Sequence, residues 1–150
     1  SDHFLLRRGP YLIGAGLDES VESESKTING RYISLFDPNL DIRSSVSLTP
    51  GARVFLLDLE SIKGDQIQVL ASACKALLKD TSDSHVSYTV EGIANTPAIV
   101  LLRVPEIKPE RITLDGQEIS EYSYLASEKL LWVKFVNTSS PREFKLEFTR

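Results

Sequence analysis

The sequence predicts an all-β protein: an antiparallel β-sandwich of jelly-roll or immunoglobulin-like type, with room for one short helix. Three observations carry this. Apolar and polar residues alternate through most of the chain, as when Phe144, Leu146 and Phe148 are separated by Lys145 and Glu147, the period-two pattern of half-buried strands. Turn signals recur every 8–12 residues or so, the spacing of a sandwich or barrel. The turns are chemically specific: Pro50-Gly51 suits a type II turn, and Leu114-Asp115-Gly116-Gln117 a tight hairpin. With 150 residues, 41% apolar and 25% charged, the chain reads as one module, 1–150, able to bury a core.

The elements follow in order. Tyr11 to Gly16 is a strand whose Gly14 and Gly16 mark a close approach of another backbone. Asp18 to Lys26 is acidic and Ser-rich, a solvated loop. Gly30 to Leu59 is the organising unit: strand, polar turn, strand, Pro50-Gly51 turn, strand. Val54 to Leu59 is apolar on both faces and so central, and the Pro50-Gly51 turn is expected to set the register of 46–59. Gln66 to Asp80 is ambiguous. Its Ala, Leu and Lys content favours helix, while the DTSDS turn and the alternating Val86, Tyr88 and Val90 favour a hairpin arm; strand is the preferred reading. Ala98 to Val104 is a central strand, and Pro105 and Pro109 form a stiff linker.

Composition excludes some functions. The net charge of −4 is mixed along the chain without a basic stripe, which argues against nucleic-acid and anionic-membrane partners. Apolar runs such as Ala98–Leu102 are too short to cross a bilayer, and the N-terminus has no signal-peptide pattern. No cofactor is expected, because Gly9-Pro10 and Gly14-x-Gly16 lack the strand-to-helix setting of a phosphate loop. The chain contains no methionine, which predicts a module excised from a larger protein.

Candidate chemistry is sparse. Cys74, the one cysteine, sits among alanines as a small core residue, and only His3 and His85 are on offer as zinc partners. Asp18 with Glu19, and Asp58 with Glu60, are the sequence-local carboxylate pairs, read as solvated loop and strand-end acids rather than a glycosidase pair. Asp58 lies in an apolar strand and needs a partner such as Arg8 or Arg53. Asp37-Pro38-Asn39-Leu40-Asp41 has the spacing that opens a calcium loop, yet Ile42 and Leu48 stand where Gly and Glu belong, so an Asx-type turn is expected and no metal. A saccharide platform would be Trp132 with Tyr122 or Tyr124, flat rings that meet the apolar face of a pyranose; the competing reading makes Trp132 core. Asn137-Thr138-Ser139 is a glycosylation acceptor pattern.

The stretch PERITLDGQEISEYSYLASEKLLWVKF, followed by FKLEF, resembles the closing β-sandwich of many bacterial glycoside hydrolases, which runs strand, DG turn, strand, tyrosine, then LLxVxF. RRGPYLIGAGLDES with LFDP and LTPG is similar to an accessory domain of large bacterial carbohydrate-active proteins. The first match covers about a quarter of the chain and both together less than half. The resemblance implies a non-catalytic accessory module that supports a neighbouring catalytic domain, with oligo- or polysaccharide as its ligand if it has one. The chain itself is then no enzyme, and its parent is a candidate glycoside hydrolase. The alternative is a protein-interaction or scaffold module without sugar affinity; a self-sufficient glycan-processing enzyme ranks last.

Overall fold

The structure, a computed structural model, describes residues 3–16 and 26–149. The expected acidic loop at Asp18 to Lys26 therefore lies outside the described residues, apart from Lys26 itself. The described residues are nearly all β, and every strand pair is antiparallel. This is the fold class that the alternation predicts. The chain forms two compact units, Ser1–Gly64 and Asp65–Arg150.

The first unit is a five-stranded sheet of β1 (His3–Arg8), β2 (Tyr11–Gly16), β3 (Lys26–Ser34), β4 (Ile42–Leu48) and β5 (Arg53–Asp58), ordered β1-β2-β5-β3-β4. The strand that is apolar on both faces, β5, is central, as its pattern requires. Leu12, Tyr32, Val46 and Leu56 form the core on one face. Gly14 and Gly16 let the sheet curl there: a Cβ on Gly14 would press on Leu5, Val54 and Leu48, and one on Gly16 would fall on the Thr49 carbonyl. Pro50-Gly51 forms the expected type II turn, with Ala52 N–H donating to Thr49 O at 2.9 Å and Gly51 at φ 77. It does not set a hairpin register, because β4 and β5 are not neighbours. Instead the turn bonds to the end of β2, through Gly51 N–H to Gly16 O and Gly16 N–H to Ala52 O, each 2.8 Å.

The second unit is a β-sandwich. One sheet is ordered β11-β10-β14-β8-β7 and the other β12-β13-β9-β6. The strands are β6 (Gln68–Ser72), β7 (Lys75–Thr81), β8 (His85–Glu91), β9 (Pro97–Arg103), β10 (Arg111–Leu114), β11 (Gln117–Glu118), β12 (Tyr122–Leu125), β13 (Leu130–Val136) and β14 (Arg142–Glu147). Val90 and Phe144 from the first sheet meet Val100, Leu131 and Val133 from the second in a core with almost no solvent access. The ambiguous Gln66 to Asp80 stretch is strand, but two strands: β6 and β7 lie in different sheets, and the chain crosses between them at Ala73-Cys74. Asp115 (φ 48) and Gly116 (φ 81) both adopt positive φ, so the β10–β11 hairpin has the type I′ geometry its sequence signals.

Candidate functional site

The sequence-predicted residues separate. Across paired strands, partners share a face. Tyr122 opposes Val133 and Tyr124 opposes Leu131, whereas Trp132 opposes Ser123 and Leu101. The two tyrosines therefore face the sandwich core, against which both pack, and the half-buried Trp132 lies on the other face of the same sheet. The three rings do not form one platform. The Tyr124 hydroxyl donates to Val104 O at 2.8 Å, and burial raises its pKa. The Tyr122 ring lies under Lys108 Nζ, 5.7 Å from the ring centroid, within cation–π range. Both tyrosines thus hold the segment between Val104 and Lys108, where the stiff linker was expected.

Asp58 is buried, and its partner is Arg7 rather than Arg8 or Arg53, with Nη1 3.0 Å from Oδ2. The register explains the choice. Arg7 opposes Leu12, which opposes Leu56, so Arg7 shares the face of Leu56 and Asp58; Arg8 and Arg53 point to the other face. Asp58 also accepts from Glu60 N–H at 3.1 Å and the Ser61 hydroxyl at 2.9 Å, capping a short 3-10 turn at Leu59–Ser61. Asp37 is the expected Asx turn: its carboxylate accepts from Asn39 N–H at 2.9 Å and Asp41 N–H at 3.1 Å. Among the described residues no group of three or more His, Cys, Asp or Glu could hold a metal ion. Cys74 is half-buried against the core and beside Ser72, and burial pushes its thiol pKa up. Asn137 of the acceptor pattern is buried, its amide donating to Thr96 Oγ1 at 3.0 Å and Ala73 O at 3.3 Å; it is a structural clamp, closed to modification in the folded chain.

A pocket of about 300 Å3 opens at one end of the sandwich. Four pieces of chain build it: the lead into β6, the β7–β8 turn, the segment after β9, and Phe148 after β14. Ile67, Val104, Pro105, Ile107 and Phe148 supply apolar lining, and Asp65, Gln66, Thr81, Ser82, His85 and Glu106 supply polar groups. Phe148 N–H donates to Ser84 O at 2.8 Å, tying the end of β14 to the β7–β8 turn.

His85 is held at both ring nitrogens. Nε2 lies 3.2 Å from Asp80 Oδ2, and Nδ1 lies 2.8 Å from Ser82 Oγ. A carboxylate can only accept, so Nε2 carries the proton and, in the neutral ring, Nδ1 accepts from the Ser82 hydroxyl. The His85 ring first, and then the Thr81 amide, hold the exposed Asp80 carboxyl below its usual range. Ser82 Oγ accepts in turn from Ser84 N–H at 3.2 Å and His85 N–H at 3.3 Å, which closes the turn. The sequence gives Asp80-Thr81-Ser82-Asp83-Ser84 as a hairpin turn, and offers His85 only as a zinc partner. The available signal was an acid, a hydroxyl and an imidazole within six residues of a hairpin.

Asp80 owes its aim to a β-bulge. The β7–β8 register shifts between Leu78 and Asp80, so Asp80 pairs with Ser87 instead of Val86. That moves it from the core-facing side to the side of Ser87 and His85. Comparison of the chain with known protein families, with characterised proteins and with solved structures found no match.

Proposed function

We propose that the chain is an accessory module of a carbohydrate-active protein and that it captures saccharide in the pocket of the second unit. The observation that carries this reading is the pocket's mixed lining. A pyranose offers an apolar C–H face and a rim of hydroxyls; Phe148, Pro105 and Ile107 suit the first, and Asp65, Gln66 and Glu106 the second. The site moves from the Trp132 platform to the end of the sandwich, and Tyr122 and Tyr124 act by holding one wall. Binding is weak, because each sugar hydroxyl exchanges water for a protein partner at small net gain. Titration of isotope-labelled chain with a panel of oligosaccharides tests this. The expected result is amide shifts confined to residues 65–67, 81–85 and 104–107. Shifts centred on the Trp132 indole, or none with any sugar, would overturn the pocket assignment.

One observation favours the scaffold alternative. Phe4, Leu6 and Ile13 are 50%, 37% and 37% exposed, and the β1–β2 register puts all three on one face of the first sheet, an apolar patch of the kind that marks interaction surfaces. That reading gains if no saccharide binds and a Phe4→Ser, Leu6→Ser variant, folded as the parent, loses association with the neighbouring domain.

A further inference from the structure

We propose that Ser82, His85 and Asp80 form a nucleophile, base and orienting carboxylate that hydrolyse short-chain O-acyl esters at the pocket. This goes beyond saccharide capture and stands without it, because an acyl ester need not carry a sugar. Three features support it. The hydroxyl lies 2.8 Å from the imidazole nitrogen that accepts its proton, and the other nitrogen is oriented by a carboxylate at 3.2 Å, the arrangement that activates a serine. The bulge in β7 supplies that carboxylate. Closing the turn needs the Ser82 oxygen alone and gives no reason for the His85–Asp80 bond. Finally, Ser82 and His85 line the pocket together with Val104, Pro105 and Ile107, so an acyl chain has an apolar place to lie beside the hydroxyl.

The chemistry balances without a cofactor. Ser82 Oγ attacks the ester carbonyl carbon while its proton passes to His85 Nδ1, and Asp80 holds the resulting imidazolium through Nε2–H. The tetrahedral intermediate collapses, the bond from carbon to the alcohol oxygen breaks, and that oxygen takes the proton from Nδ1 as the alcohol leaves. Water then attacks the acyl group on Oγ, gives its proton to Nδ1, and the acid departs as Ser82 recovers the proton.

The test combines labelling with kinetics. The unaltered chain is treated with a fluorophosphonate, the adduct is mapped by peptide mass spectrometry, and hydrolysis of p-nitrophenyl acetate and butyrate is followed. The expected result is an adduct on Ser82 and a loss of turnover of order 100-fold or more in Ser82→Ala and His85→Asn. An unlabelled Ser82 overturns the proposal whatever the variants do, so a variant that misfolds cannot protect it. Turnover in Ser82→Ala equal to the parent's overturns it too, since a bare imidazole would then be the catalyst. These aryl esters carry no saccharide: a chain that hydrolyses them but binds no glycan keeps this inference and loses the capture reading, and the reverse holds.

Discussion

Tyr124 spends its hydroxyl on the Val104 carbonyl and its ring on the sandwich core, so its value is positional. Tyr124→Phe keeps the ring and removes one partly buried hydrogen bond. The expected cost is roughly 0.5–1.5 kcal/mol, read in a denaturant melt, together with weaker ligand binding at a pocket that the residue does not line. Unchanged stability and unchanged binding would mean that the bond holds nothing in place. Gly51 is the opposite case, a residue whose importance is its backbone. At φ 77, with nothing within 4 Å of where its Cβ would be, a side chain meets no clash. Gly51→Val is therefore expected to destabilise by about 1–3 kcal/mol through backbone strain alone. Gly51→Asn should cost less, because Asn tolerates the left-handed region; equal costs for both would point to a steric cause instead.

At the scale of the element, Asn137 shows how the crossing between sheets is fixed. Its side-chain amide donates to Ala73 O, where β6 hands over to β7, and to Thr96 Oγ1, just before β9; a Cβ on Gly92 would lie 2.6 Å from its Cγ. Asn137→Ala leaves these acceptors, part-buried at the surface of the sandwich, without their donor and is expected to cost roughly 0.5–1.5 kcal/mol. A melt indistinguishable from the parent's would show that the crossing is held elsewhere. The strands themselves were legible in the sequence, because alternation and turn chemistry are local: β5 and β9 were central on paper, and the Asp115-Gly116 hairpin announced its own turn type. Pairing was not legible. That Arg7 rather than Arg8 meets Asp58, and that Trp132 turns its back on Tyr122 and Tyr124, depend on sheet order and register. The pocket set was hidden for the same reason, since only the bulge at Leu78–Asp80 brings Asp80 to the face of His85.

At the scale of the whole molecule, Tyr88 of the second unit adds to an alkaline limit on stability and Asp37 of the first to an acid one. Tyr88 sits in the sandwich core, and burial pushes its hydroxyl from 10.0 up to about 12. The folded state favours the neutral hydroxyl, so this contribution is complete below pH 10 and is lost as pH rises through about 12. Asp37 behaves in the opposite sense. The Asn39 amide first, then the Asp41 amide and Arg43, outweigh burial and hold its carboxyl below 3.8. Its contribution is present above that value and is lost as pH falls through the folded-state pKa. Denaturant melts across the pH range should show an alkaline decline that flattens in Tyr88→Phe, which keeps the ring and removes the titrating group, and an acid decline that flattens in Asp37→Asn. The two variants separate the causes. If Tyr88→Phe loses stability with alkali as steeply as the parent, the alkaline limit lies in other groups, and burial of the Tyr88 hydroxyl has no bearing on it.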